Sequence, residues 1–460
     1  MATNIEKLII SHNKDAQNRK MVAFYDRKST MEKMGIARSE TAHSAFLANL
    51  LKSDNGLGLE ESAIMWLLHI LIEREDNATA YNSTSSKSPI PTDVKAAVLS
   101  QTLKYDIEEI TTEKVIDDVA HSYFAAHYNN KKCDDRLDIY IKLKVNGLSV
   151  KYLEIVIENK VLQDENGPKS KNSSGYDSLF QTQRYYTACS YNKSSVTAQL
   201  FVFLTPDEVE EETKAKDKHF IQISYQDVLD TIIIPQLDNN MLTSNERQEL
   251  ENYVDALNLP TLDIQAKKRI VMAMTEEART DKQTYLKKNK ELIINVIKAK
   301  EKEASNSSSL TQEEQILVSF ANKRKNLFAA LGMDFDTIKT TYYFVFITDG
   351  DTYRIEHLCT ADVAVNFVKL YYKYNSGSSI GQLNNDFANV KPNIFSVCNV
   401  QKNNTNSALY VKIADYVYFP KNIWSVKKIG DRKENYFSKL LTMINKTNNV
   451  SKDFKYEVIK

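Results

Sequence analysis

Two acids and a lysine crowd the segment YLEIVIENKVL, residues 152–162. Side chains alternate across a strand. Read as a strand, the segment turns Leu153, Ile155, Ile157 and Val161 to one face and Glu154, Val156, Glu158 and Lys160 to the other. Upstream, RLDIYIKLKV (136–145) sets Asp138 on the opposite parity from Leu137, Ile139, Ile141 and Leu143. If the two segments pair as a hairpin, Asp138 lies beside Glu158. Two carboxylates about 4 Å apart repel by roughly 4 kcal/mol at an effective dielectric near 20. Lys160 offsets part of this, and a divalent cation would offset more, because magnesium takes oxygen ligands from one or two carboxylates. The plain alternative is a charge pair at a strand edge. Glu154 shares the face of Glu158 but lies about 13 Å along the strand, so it is expected to be solvated or paired with Lys142 or Lys144. Glu113, in ITTEKVIDD, is a weaker candidate for a further acid.

Two helical stretches carry further polar groups. In SLFQTQRYYTACSY (178–191), Gln181 and Tyr185 are four apart and share a helical face. Arg184, three from Gln181, could reach a phosphate. The alternative makes Tyr185 half-buried core and Gln181 a surface residue. In RSETAHSAFLANLLK (38–52), with Ser39 as N-cap, Glu40, His43, Leu47 and Leu50 line one stripe. That stripe should face the sheet and aim Glu40 at the strand carboxylates. Otherwise Glu40 serves the helix dipole from the first turn, and His43 is a hydrogen-bonded core histidine.

The pattern Asp138, 19 residues, then Glu158-x-Lys160 resembles the active site of the PD-(D/E)xK phosphodiesterase superfamily. The usual proline before the first acid is Leu137 here, at a position that varies in the superfamily. The resemblance implies that Asp138 and Glu158 hold Mg2+ or Mn2+, with the backbone carbonyl of Asn159 as a further ligand. It implies that Lys160 orients the attacking water and stabilises charge developing on the phosphate. Gln181-x-x-x-Tyr185 is similar to the extra motif of the recombination-nuclease and lambda-exonuclease branch. That likeness implies a substrate-binding role for Gln181, Arg184 and Tyr185. SETAHSAFLANLL resembles the opening E-x-x-H-S-x-x-L-x-x-L-L helix of one family of the superfamily, which implies Glu40 as an additional metal ligand. FVFLTP (201–206) and ISYQDVLDTIIIPQL (223–237) resemble that family's last core strand and closing helix. The resemblance covers residues 35–237, half of the chain.

The 460 residues are 42% apolar and 26% charged, enough to bury a core in two or three domains. Sixty basic side chains balance sixty acidic ones, which leaves a polyanionic partner open, because a cleft needs only a local field. Cys133, Cys189, Cys359 and Cys398 have no metal-type spacing and read as free thiols in a reducing compartment. The longest apolar run, IMWLLHILI (64–72), is too short for a bilayer, so a cytoplasmic location is expected. Helices at 38–52 and 59–75, strands at 136–145, 151–162 and 198–206, and helices at 178–191 and 224–237 predict a restriction-endonuclease-like α/β core, a mixed sheet flanked by helices, over 30–240. A helical connector over 241–305 and a C-terminal α+β domain over 306–460 follow. Within the connector, 265–304 carries 11 Lys/Arg against 6 Asp/Glu. It is either a solvated face or an arm tracking a phosphate backbone. In the last domain, SGSSIGQLNNDFANVKPN (376–393) could be a turn and helix, and Lys391, Lys402, Lys427 and Lys428 form no clear stripe.

The expected function is a metal-dependent nuclease, DNA favoured, in restriction or phage defence. A homo-oligomer or a defence-system partner protein is open, and no membrane partner is expected. The alternatives are a catalytically silent nucleic-acid-binding or scaffold module on a nuclease fold, and an RNA-cutting effector. For the last, no aromatic single-strand module is recognisable.

Overall fold

The computed structural model describes residues 3–333 other than 38, 58–61, 82–87, 129–132, 162–164, 170–174, 192, 207–214, 239–241, 264–267 and 306–308. Beyond these it describes residue 335, the elements between 342 and 390, and short elements at 410–420, 427–444 and 454–459. Two compact units form: Arg27–Ala278, and a second made of Met1–Asp26 with Arg279–Lys460.

Arg27–Ala278 is built on five strands: β1 (Tyr105–Val115), β2 (Arg136–Val145), β3 (Tyr152–Asn159), β4 (Thr197–Thr205) and β5 (Phe220–Ser224). They lie in the order β1-β2-β3-β4-β5. β1, β2 and β3 pair antiparallel, whereas β3, β4 and β5 pair parallel. The sheet is therefore mixed and needs helical cover on both faces. Leu153, Ile155, Ile157 and Val161 enter one core with the helices Glu40–Leu50, Ser62–Arg74, Thr92–Leu99 and Ser244–Asn258. Val156 enters the other, under His121–Tyr128 and Gln181–Cys189, with Leu137, Tyr140, Phe201 and Phe203. The alternation read from the sequence is thus the alternation of the two cores. Each fully buried Leu or Ile here contributes about 1.5–3 kcal/mol.

Four local readings change. β3 is the central strand, so Glu158 and Lys160 emerge at its C-terminal end in the middle of the sheet. β1 and β5 complete the sheet without an apolar run to announce them; β1 is half-exposed along most of its length. Thr261–Asp263 and Lys268–Ile270 form a short antiparallel pair where helix was expected; β-branched Ile270 and Val271 favour extended backbone there. The helix Ser244–Asn258, read as connector, buries Leu250, Tyr253, Val254 and Leu257 in the sheet's core. The closing helix runs from Tyr225 to Leu237 with one π-helical turn, Leu229–Ile233, just before Pro235, which lacks the N–H that a regular turn would use.

The second unit joins Asn4–Lys14 and Ala16–Asp26 to a helical bundle that includes Lys290–Ser305, Gln312–Asn322 and Lys325–Ala330. His12 is buried there, 2.8 Å from the Tyr285 hydroxyl and edge-on to Phe320. The amides of Asn18 and Asn289 exchange two hydrogen bonds. Lysines of the basic stretch are tied to acids: Lys288 to Asp15, Lys300 to Glu303 at 2.6 Å and Lys302 to Glu314 at 2.7 Å. Lys300 is buried and also donates to Asn322 at 3.0 Å, so part of this stretch packs into the bundle instead of forming a solvated face. Tyr342–Thr348, Tyr353–Leu358 and Phe454–Ile459 form a three-stranded antiparallel sheet, accompanied by the helices Thr360–Tyr374 and Ile380–Asp386. Tyr410–Ala414 and Val417–Pro420 pair as an antiparallel hairpin. Lys391, Lys402 and residues 376–379 and 391–393 lie outside the described residues. Among the described residues, no helix is long and apolar enough to cross a membrane. Cys133 and Cys189 are buried free thiols, and Cys359 and Cys398 lie outside the described residues.

Candidate active site

The β2–β3 hairpin pairs Ile139 with Ile157 and Tyr140 with Val156. Continuing that register by one residue sets Asp138 against Glu158. The Asn159 N–H donates to Asp138 Oδ2 at 2.8 Å and ties the two strand ends. Glu158 is fully buried, and Lys160 Nζ lies 2.6 Å from its Oε1. That contact is an ion pair, and Glu158 Oε2 is left without a hydrogen-bond partner. Ser39 caps the helix Glu40–Leu50 by accepting the Ala42 N–H. The helix brings Glu40 Oε2 to 3.2 Å from Lys160 Nζ, while Oε1 accepts the Val161 N–H at 3.3 Å. Glu40, Asp138, Glu158 and Lys160, 120 residues apart at the extremes, therefore meet at the end of β3.

The electrostatics follow from burial. Asp138 is pushed up to about 6, first by burial, against the pull of Lys160 and the Asn159 N–H. Glu158 is pushed well above the usual carboxylate range by burial and then by Asp138. Burial works against the charge on Lys160, but Glu158, Asp138 and Glu40 outweigh it and raise it. Glu113 has a left-handed backbone (φ 53°) and adds to the repulsion on Asp138, while its carboxylate sits 3.9 Å from Arg136. Glu154 lies opposite Lys142 across the β2–β3 ladder and adds to the field on it, but the close ion pair of Lys142 goes elsewhere. Gln199 donates to Glu154 at 2.9 Å, and Lys142 binds Glu108 at 2.9 Å.

Gln181 and Tyr185 meet as their spacing implies. The Gln181 amide donates to the Tyr185 hydroxyl at 2.8 Å, and that hydroxyl donates to the Arg136 carbonyl, two residues before Asp138. Both side chains are buried, so Gln181 is not a surface residue. Arg184 is 4% exposed, and its guanidinium donates to Asp135 at 2.8 Å, to the Leu179 carbonyl at 2.8 Å and to the Gly167 carbonyl at 3.3 Å. Burial alone would raise Asp135, but Arg184 and Lys169 outweigh it and lower it. Arg184→Ala is therefore expected to cost about 1–3 kcal/mol of stability by taking the buried donor from Asp135 and from the Leu179 and Gly167 carbonyls, while Lys169 at 3.1 Å and the Tyr176 hydroxyl at 3.0 Å still hold Asp135. Urea melts check this. Unchanged stability with weakened nucleic-acid binding would assign Arg184 to substrate instead.

His43 is fully buried. Its Nε2 faces the Ala37 carbonyl at 3.1 Å and must donate, so Nδ1 accepts from the Tyr253 hydroxyl at 3.0 Å. It is a satisfied core histidine. The sequence reading missed the side chain of Asn159 and the residues around it, Ser44 and Tyr225. The signal was available: Asn159 has the parity of Leu153, Ile155 and Ile157, so a polar side chain was due in the core.

The sequence model of the PD-(D/E)XK nuclease superfamily matches residues 30–322, and so spans Glu40, Asp138, Glu158 and Lys160. The chain belongs to this superfamily. No curated protein and no solved structure matches it.

Of the side chains that meet at the end of β3, the carboxylates of Asp138, Glu158 and Glu40 are those that could hold a divalent cation. Among the described residues, no group of three or more His, Cys, Asp or Glu side chains stands in the arrangement of a metal centre. The fit is instead carried by Glu158: Lys160 pairs with its Oε1, but the buried Oε2 has no hydrogen bond and is costly unless a metal ion or a proton satisfies it. With Asp138 beside it, the donor set is all oxygen, which suits Mg2+ or Mn2+.

Proposed function

We propose that the protein is a Mg2+- or Mn2+-dependent nuclease that hydrolyses phosphodiester bonds, most favourably in DNA. The observation that carries this reading is the fully buried carboxylate of Glu158 beside Asp138, ion-paired to Lys160 at Oε1 and without a hydrogen-bond partner at Oε2. Asp138 and Glu158 would hold the cation, with the Asn159 carbonyl and Glu40 as further ligands. The bound cation would supply Lewis acidity towards a water and the phosphoryl oxygens. Lys160 holds its proton under the pull of three carboxylates and so serves as a fixed cation, orienting water and stabilising charge on the phosphate. Tyr185 and Gln181 brace the entry to β2 at Arg136, which supports the recombination-nuclease-like branch and a strand-positioning role for the pair. With Arg184 engaged inside the fold, its part in substrate binding is to hold that helix in place. A role in restriction or phage defence, with a homo-oligomer or a partner protein, is proposed by analogy with superfamily members that cut DNA.

One observation favours the silent-module reading: the Lys160 ammonium itself stands between Glu158 and Glu40, at 2.6 and 3.2 Å, and offsets part of the cluster's charge without a metal ion. A cleavage panel of supercoiled, linear and single-stranded DNA and RNA, in Mg2+ or Mn2+, separates the readings. DNA cutting is expected. Cutting of RNA alone would make the protein an RNA-cutting effector, and binding without cutting in either metal would favour the silent module.

A further inference from the structure

Asn159 occupies the middle position of Glu158-x-Lys160, and its side chain points into the core rather than towards Asp138. Asn159, Ser44 and Tyr225 are buried, at 0%, 1% and 0% exposure. The Asn159 amide nitrogen donates to the Glu40 carbonyl at 3.2 Å and to Ser44 Oγ at 3.0 Å. The Tyr225 hydroxyl donates to Asn159 Oδ1 at 2.8 Å. Chemistry fixes the amide's orientation: a backbone carbonyl only accepts, so the nitrogen must face Glu40 and the oxygen must face Tyr225. Every side-chain donor and acceptor of the amide thus has a partner, in a site where an unpaired one would be costly.

The chain of bonds joins three elements. Tyr225 opens the closing helix, Asn159 ends β3, and Glu40 and Ser44 form the first turn of the Glu40–Leu50 helix. The far end of that helix is held by Leu47, Leu50 and Leu51 in the core. Its first turn is held by the amide of Asn159 at Glu40 and Ser44 and by His43 against Tyr253, and from that turn the Glu40 carboxylate reaches Lys160 and the Val161 N–H.

We propose that Asn159 and Tyr225 are positioning residues: the Tyr225–Asn159–Ser44/Glu40 chain fixes the Glu40 carboxylate over the end of β3 and so sets the divalent-cation affinity of the site. This rests on the reading of the site as a cation-dependent nuclease centre. Neither residue touches the reacting atoms through this link. Both act through Glu40, as residues behind a metal ligand do.

The test is calorimetric titration of Mn2+ into the metal-free full chain, with thermal melts of the same samples. Tyr225→Phe is expected to weaken Mn2+ binding about 10–100-fold. Tyr253→Phe is the control. It removes an equally buried hydroxyl, bound to His43 Nδ1 at 3.0 Å, from the same core but from no partner of Asn159. It should lower the melting temperature and leave Mn2+ affinity as in wild type. Tyr225→Phe binding as tightly as wild type would overturn the proposal. So would equal weakening in both variants, which would mean a loosened core. If Tyr225→Phe does not fold, Ser44→Ala removes the other end of the chain and decides in the same way. Absence of Mn2+ binding in wild type would instead overturn the underlying reading of the site, a result distinct from wild type binding and Tyr225→Phe matching it.

Discussion

Lys160→Ala is expected to lose cleavage by at least about 10²–10³-fold while keeping its hold on a divalent cation. Lys160 lies 2.6 Å from Glu158 and 3.2 Å from Glu40, and it is nearly buried. Its ammonium therefore performs two tasks. As a fixed cation of the proposed nuclease it stabilises the charge that develops on the phosphate, and without substrate it balances carboxylates that repel each other. Removing it takes away the first and leaves the second to the cation, so cation binding should hold or tighten. Asp138→Ala differs, because it deletes a ligand: both cleavage and tight cation binding should go. Single-turnover cleavage and Mn2+ titration of the two variants separate these behaviours. Cleavage by Lys160→Ala within a few-fold of wild type would remove Lys160 from the chemistry.

Asp138→Asn is expected to make the metal-free protein more stable at neutral pH. Asp138 is raised to about 6 mainly by burial, so the folded state prefers its protonated form. The sign follows: the contribution to stability is fully present below the unfolded value near 4 and is lost as pH rises through about 6. Above that, the charged wild-type side chain weighs against folding by about 2–3 kcal/mol, because each tenfold difference in proton affinity between the folded and unfolded chain is worth about 1.4 kcal/mol. Asparagine keeps an oxygen for the Asn159 N–H and carries no charge. In chelator the variant should melt roughly 4–12 °C above wild type at neutral pH, and close to it near pH 4. Saturating Mg2+ should narrow the gap, because a ligand that binds only the folded state stabilises wild type by mass action. A variant that melts lower than wild type at neutral pH in chelator would mean that Asp138 contributes to the fold rather than straining it.

Much of this site could be read from sequence because the signals were local and periodic. Two-residue alternation placed Glu158 and Lys160 on one face of β3, and a 3-4-3 stripe aimed Glu40 at them from a helix more than a hundred residues away. The four-residue spacing of Gln181 and Tyr185 became a hydrogen bond of 2.8 Å. Other features left no such trace. β1 is an edge strand with charged residues on its exposed positions, so it has no apolar run, and β5 is five residues long. The helix Ser244–Asn258 follows a polar stretch and looks like a connector until Tyr253 is seen stacked on Phe46 with ring centroids 3.7 Å apart. Arg184 looked free to reach a phosphate because spacing cannot show that Asp135 waits beside it. The fate of Asn159 was hidden for the same reason: its neighbours Ser44 and Tyr225 come from the two ends of the fold's sequence.

The most direct test of the nuclease reading is cleavage of DNA by the purified full chain in Mg2+ or Mn2+ against chelator, with Asp138→Ala in parallel. Cutting that requires the cation and vanishes in the variant is the expected result. Cutting that persists in chelator, or that Asp138→Ala retains, would contradict it.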